Sequence, residues 1–363
     1  LFTFKEAPKY TMNKTYFALS LSLLLLLITC GMPKENKQQE TKTNTSQNGK
    51  MSLMFYNVEN LVDTFDDPNI DDEDFTPGGK LNWDQEKYTT KLVHTAQVIE
   101  SISPPDLPAI VGFAEVENKR VIEDLINKTK LKGGNYNIVH RDSPDKRGID
   151  VALIYNNQLL KEVQAESINI QDENLGRYFT RDILYVQLLL QNNETLHVFV
   201  NHWPSRRDGK ETTESKRVYA AKTLRKRINQ ILEKDVDAKI ITMGDFNDTP
   251  DEISIEKNLQ AKKEITIKSD LFNPYIKINE NGLGSVFFEG EYASFDQIMI
   301  SKSVYEKNSG LMYEPNSAAT FRAPFVTFRD PKTGVQRPNR TYSGDKYHGG
   351  YSDHLAVYLK LRY

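Results

Sequence analysis

The sequence predicts a mixed α/β (α+β) fold, and three observations predict it. Continuous apolar runs such as Ala109-Ile110-Val111-Gly112-Phe113-Ala114 and Lys239-Ile240-Ile241-Thr242-Met243 have the length and composition of strands buried on both faces. Between such runs lie stretches with helical spacing, at Tyr88, Leu92, Ala96 and Ile99 and again at Val218, Ala221, Leu224, Ile228 and Ile231. Finally, several apolar runs break off into the same kind of polar group, as at Asn57, Glu115, His202 and Asp245.

Composition bounds the partners. The 363 residues carry a formal net charge of −3, so no whole-molecule basic field gathers polyanions, and any nucleic-acid contact must come from a local patch. The single cysteine, Cys30, excludes an internal disulfide and any cysteine-rich metal cluster.

Met12-Asn13-Lys14 reads as a start with a basic n-region, which leaves residues 1–11 as upstream sequence. The uncharged run Tyr16 to Ile28 falls short of the roughly 20 residues that span a bilayer but suits a signal-peptide h-region. It ends in Leu27-Ile28-Thr29-Cys30-Gly31, which resembles a bacterial lipobox. That resemblance implies a lipid anchor on Cys30 and an exported lipoprotein, periplasmic or on the cell surface. Residues 30–50 are too polar to bury a core and read as a flexible tether. The folded body is expected over 51–363 as one domain.

Within the body, Ser52 to Tyr56 is the first strand and Asn57-Val58-Glu59-Asn60 its polar end. Asp63 to Gly79 is an acidic loop whose Asp71-Asp72-Glu73-Asp74 lacks the spacing of an EF-hand and reads as solvated. A helix over 83–102 stops at Pro104-Pro105, and the strand 109–114 ends in Glu115-Val116-Glu117-Asn118. A short helix (119–129) leads to strands at 136–140, 148–155, 162–168, 183–190 and 196–200, the last ending in Asn201-His202-Trp203-Pro204. Asp150 is a charge inside an apolar strand, so a partner is expected for it.

The helix 214–233 carries Lys216, Arg217, Lys222, Arg225, Lys226 and Arg227, read as a solvated face. The strand 239–243 then runs into Gly244-Asp245-Phe246-Asn247, where an extended backbone would point Asp245 and Asn247 the same way. A short helix from Glu252 and strands near 285–288 and 295–300 follow, the last containing Asp296. Residues 301–346 form a long irregular segment of the kind that carries function. The chain closes through Ser352-Asp353-His354 into a strand at 355–359.

The order Asn57…Glu115…His202…Gly244-Asp245-Phe246-Asn247…Asp296…Ser352-Asp353-His354 resembles the endonuclease/exonuclease/phosphatase (DNase I-like) superfamily over nearly all of Ser52 to Tyr363. The resemblance implies a four-layered α/β/β/α sandwich and metal-dependent phosphoester hydrolysis. It implies that Glu115, with Asn57 and Asp353, holds Mg²⁺ (Mn²⁺ or Ca²⁺ in its place), and that Asp245 and Asn247 orient the attacking water. It further implies His354 as base or phosphate ligand backed by Asp296, His202 as acid for the leaving group oriented by Asp150, and Arg181 and Asn247 on the phosphate.

On these residues the expected activity is that of an exported endonuclease acting on nucleic acid. The alternative is a phosphatase or sphingomyelinase-like phosphodiesterase, and beyond it a binding lipoprotein without catalysis. No protein partner is implied. A calcineurin-like reading of Gly244-Asp245 lacks its Asp-x-His and Gly-Asn-His partners, and neither a His-Glu-x-x-His nor a Gly-x-Ser-x-Gly motif is present. Arg147, Arg181, Arg206, Arg322 and Arg340 are the arginines that would have to converge for a basic groove.

Overall fold

The structure is a computed structural model that describes residues 49–170, 180–306 and 310–363. The signal-peptide, lipobox and tether readings up to residue 48, and Arg177-Tyr178-Phe179, lie outside them.

The apolar runs fold as strands: β1 (Lys50–Leu61), β2 (Ile110–Val116), β3 (Tyr136–His140), β4 (Asp150–Asn156), β5 (Leu160–Ile168), β6 (Ile183–Leu190), β7 (Thr195–His202) and β8 (Lys239–Asp245). Strands Asp296–Ser301 and Val357–Arg362 complete the main set. Helix α1 (Gln85–Glu100) starts where the Asp84 carboxylate accepts from Lys87 N, and α2 (Lys119–Asn127) where the Asn118 side chain accepts from Val121 N. Helix α3 (Lys210–Lys234) begins four residues before its expected start, directly after Gly209 in a positive-φ turn.

Two seven-stranded sheets result. One runs 312–313, 357–362, β1, β2, β4, β3, with 319–320 also paired to 357–362, and the other β5, β6, β7, β8, 296–301, 271–272, 261–262. Leu53 and Phe55 of β1 face Val198, Ile241 and Met243 in the core between the sheets, whereas Met54 and Tyr56 face α1 and α2 on the outside. The second sheet packs Phe199 and Ile240 against Ala221, Leu224 and Ile228 of α3. Helices, sheet, sheet and helix therefore stack as four layers, the architecture that the family resemblance implied.

The basic face of α3 departs from expectation. Arg217 and Arg225 are buried, Arg217 Nε donating to Asp248 (2.6 Å) and Arg225 Nη1 to the carbonyls of Leu259 (3.1 Å) and Ser269 (2.8 Å). Helical spacing locates an apolar stripe, but it does not tell which charges at its edges meet partners from distant loops.

Gly244 is the residue that lets β7 and β8 close at the sheet end. A Cβ there would stand 2.5 Å from the Asn201 carbonyl oxygen and 2.6 Å from the Asn201 Cβ. Replacing Gly244 with Ala should cost about 1–3 kcal/mol of stability through overpacking, read as a lower urea midpoint. A midpoint equal to that of the parent would mean that the strand pair does not need the glycine.

Candidate active site

Three neighbouring strands place three chemical groups abreast. His202 of β7 pairs with Asp245 of β8, and Asp245 pairs with Asp296 of the next strand. Adjacent strands lie about 4.8 Å apart, so residues in register on one face come within reach of one another. His202 Nε2 stands 3.6 Å from Asp245 Oδ2. From the loop ahead of the C-terminal strand, His354 brings Nδ1 to 2.7 Å from Asp296 Oδ2 and Nε2 to 3.8 Å from Asp245 Oδ2. Ser285 Oγ also donates to Asp296 Oδ2 (2.5 Å), fixing the carboxylate behind the ring.

The other sheet completes the site through two bulges. The β1–β2 register shifts between Asn57 and Leu61, where Glu59 and Asn60 have φ of 52° and 55°. The β2–β4 register shifts between Ala114 and Val116, around Glu115 at φ 63°. Positive φ is costly for such residues, and bulges re-aim side chains at strand ends. Here they turn Asn57 Nδ2 towards Asp245 Oδ2 (3.0 Å) and Glu115 Oε1 (3.4 Å), while Asn60 N donates to Glu115 Oε2 (3.1 Å). Asp245 Oδ2 is thus the point on which Asn57, His202 and His354 converge.

The two histidines differ in charge. Burial alone would lower the His354 pKa, but Asp296 and Asp245 outweigh it and hold the ring well above its usual range. His202 is pushed well below by burial, with Arg181, Arg147 and His354 adding positive charge around it. Burial raises Asp245 to about 7, Asp296 adding to the rise and His354, Asn247 N and Asn57 opposing it.

Several expected placements change. Asp150 does not orient His202: it lies 3.4 Å from His140 Nε2 and accepts from Ser143 N (3.0 Å) and Ser143 Oγ, and His202 Nδ1 is buried with no hydrogen-bond partner among the described residues. The strand charge has a partner, supplied by the adjacent β3. Arg181 is buried, with Nη1 on Asp145 (2.9 Å) and Nη2 on the Trp203 carbonyl (2.8 Å), so it braces the His202 loop rather than presenting a fork to phosphate. Asn247 does not extend beside Asp245. Its φ is 51°, its N–H caps Asp245 Oδ1 (2.9 Å), and its Nδ2 donates to the Trp203 carbonyl (3.0 Å). Asp353 faces Arg340 Nη2 at 3.0 Å.

The arginines do not form one groove. Arg206 is half-buried and bonded to Asp248, Glu252 and the Asn247 carbonyl, and Arg322 reaches the Gly284 carbonyl over the Tyr292 ring. Half-exposed Arg147, anchored at Asp145 (3.3 Å), and half-exposed Arg340 remain at the rim.

A hard divalent cation takes carboxylate and amide oxygens. Glu115, half-buried and already beside Asn57, has that chemistry, and Arg340 draws the carboxylates of Asp353 and Glu59 to one guanidinium. Ligand atoms of Asp245, Asp296 and His354 also lie within 4.8 Å of one another, but the His354–Asp296 hydrogen bond occupies that cluster. The residues present fit an ion at Glu115.

A family profile described as Endonuclease/Exonuclease/phosphatase family matches residues 52–363. No curated protein matches the chain. Among solved structures it is similar to D. rerio TDP2 complexed with a single-strand DNA product, at 15% identity and TM-score 0.51 over 86% of this chain and 98% of that one. It is similar to the Bacteroides thetaiotaomicron mannosyl-6-phosphatase Bt3783, at 15% and 0.53 over 86% and 99%. It is also similar to the human Nocturnin catalytic domain with bound sulfate, at 14% and 0.50 over 87% and 97%. At such identities the likeness establishes the fold.

Sequence reading passed over Lys91, whose place on α1 suggests an ordinary solvated lysine. It is fully buried, with Nζ donating to Thr341 Oγ1 (2.6 Å) and the Tyr351 carbonyl (2.8 Å). Burial lowers its pKa to about 8, against the pull of Glu59, Asp353 and Glu115, so it stays charged at neutral pH. Glu59, buried in turn, accepts from Thr341 N (2.6 Å). The pair ties the loop carrying Asp353 and His354 to the end of β1. Lys91→Met should cost about 1–3 kcal/mol by leaving Thr341 Oγ1 and the Tyr351 carbonyl without their buried donor and Arg340 as the cation on Glu59, and adding Glu59→Gln should recover part of that loss in urea unfolding. Strictly additive losses would show that the two groups are not coupled.

Proposed function

The chain belongs to the endonuclease/exonuclease/phosphatase family, whose members are metal-dependent phosphoester hydrolases, and from that premise we propose that it cleaves phosphodiesters of nucleic acid by attack of water on phosphorus. The observation that carries the reading is the convergence of Asn57 Nδ2, His202 Nε2 and His354 Nε2 on one buried carboxylate oxygen, Asp245 Oδ2. On the sequence reading of Cys30, the enzyme works outside the cytoplasm on a lipid tether.

Asp245 is the base. With a pKa of about 7 it is substantially ionised at neutral pH yet basic enough to take the proton of the attacking water. Asn57 and the Asn247 backbone N–H hold its two oxygens in place. His354, charged between two carboxylates, donates to a non-bridging phosphate oxygen. His202 donates its Nε2–H to another and stays neutral, so the oxyanion meets one full charge and one dipole.

As the P–O bond breaks, the leaving oxygen takes a proton from solvent water, and Asp245 returns to solvent the proton it took from the attacking water. Both Nε2 atoms stand within 3.8 Å of the base, on the side of the attacking water, so this reading gives His202 the phosphate oxygen and not the leaving group. A Mg²⁺ ion at Glu115 would supply Lewis-acid neutralisation of the phosphate when bound. Arg147 adds a cation at the rim.

A second reading, a monoesterase acting on a small phosphate, draws on the carboxylates of Asp251, Glu252, Glu280, Glu289 and Glu291 that line a cavity beside Phe295 and disfavour a long polyanion there. The two readings separate when the protein is assayed with Mg²⁺ or EDTA against supercoiled plasmid, RNA and an aryl phosphate monoester. Nicking that chelator abolishes supports the proposal, and activity confined to the monoester would sink it. Glu115→Gln should lower kcat about a hundredfold or more, and His202→Ala by about 10²–10³. A near-normal rate in Glu115→Gln would remove the metal assignment.

The base assignment fixes a sign with pH. Only the ionised carboxylate accepts a proton, so kcat/KM should rise with pH through about 7 and level off above it. Asp245→Asn should abolish this limb and lower the rate by about 10²–10⁴. A profile flat between about pH 5 and 9 would contradict the assignment.

A further inference from the structure

Beside Asp353, the long segment ahead of the C-terminal strand helps enclose a cavity of about 460 Å³ walled by Phe287, Phe328, Arg337, Arg340, His348 and Asp353. Its inner end belongs to the catalytic rim, because Arg340 reaches both Asp353 (3.0 Å) and Glu59 (3.5 Å). Its outer wall is a two-stranded ribbon, Thr327–Arg329 against Gln336–Pro338. The two phenyl rings are treated differently. Phe287 is packed by Tyr292 and covered by Arg337 at 4.8 Å, and Arg337 is steadied by Asp330 at 3.4 Å. Phe328 is 40% exposed.

An exposed phenyl ring that shares a cavity with two guanidiniums offers what single-stranded nucleic acid uses: a flat base on the ring and its anionic backbone on the cations. A hexose fits less well. A saturated sugar ring has no flat π face to lie on Phe328 and brings no second phosphate for Arg337. An acyl chain would need a lining without cations. We infer that this cavity is a nucleobase subsite, which stacks the base next to the scissile phosphate on Phe328 while Arg337 faces the adjoining phosphate. The inference rests on the phosphodiesterase reading and narrows its substrate to base-bearing single strands.

The experiment compares a single-stranded oligothymidylate with an oligomer of the same length whose bases are replaced by abasic tetrahydrofuran units. A hexose 6-phosphate is run beside them, all with the full chain and Mg²⁺. The parent protein should show a KM about tenfold lower for the base-bearing strand. Phe328→Ala should raise that KM to the abasic level with kcat changed less than about twofold, leave the abasic KM alone, and be rescued by Phe328→Trp. Equal KM for both strands in the parent, or a Phe328→Ala effect on both alike, overturns the subsite and leaves the phosphodiesterase reading standing. Turnover of the hexose phosphate with neither strand cut overturns both.

Discussion

Everything in the site depends on keeping one carboxylate, Asp245, inside the protein. Removing an acid from water is costly unless its oxygens are satisfied, and this one is fully enclosed at the end of a central strand. It is held by donors from three directions: the Asn247 backbone on Oδ1, the Asn57 amide on Oδ2, and two imidazole nitrogens within 3.8 Å of Oδ2. The arrangement exists because His202, Asp245 and Asp296 share a register across adjacent strands. Sheet geometry then sets their spacing without help from loops.

The same environment sorts the two histidines. His354 lies between two acids and keeps its proton; His202 loses it to burial, with positive neighbours adding to the effect. A pair of titratable groups pushed apart in this way is a sign of divided roles in catalysis. The sorting depends on residues that never approach the reacting atoms. Arg181, pinned by Asp145, keeps positive charge behind His202, and Ser285 keeps Asp296 turned towards His354. Asp248 gathers Arg206, Arg217 and Ser254 beneath the turn that carries Asn247, so the turn stands on a buried ionic network.

Much of this was legible in the sequence, for a physical reason. Buried strands must be apolar along their length, so their ends show as abrupt changes, and Asn57, Glu115, His202 and Asp245 stand at those changes. What stayed hidden was the choice of partner. Asp150 shows that a buried acid needs a partner, yet nothing in its neighbourhood says that it will be His140 across the ladder and not His202. Arg217 and Lys91 look like any helix-surface cation until distant loops fold over them. The left-handed turn at Asn247 breaks the alternation that its two-residue spacing suggests. Periodicity reports which face is apolar; neutralisation is settled by contacts made across long stretches of chain.

That division also separates the parts of the protein that chemistry and specificity can use. A one-residue slip of β8 would carry Asp245 to the other face along with every core residue of the strand, so its position is locked by the burial of Ile241 and Met243. The ribbon at 327–338 carries no comparable core, and its side chains can change without disturbing either sheet. Substrate choice therefore has room to vary in that segment, while the carboxylate and its two imidazoles cannot move without unfolding the layers that hold them.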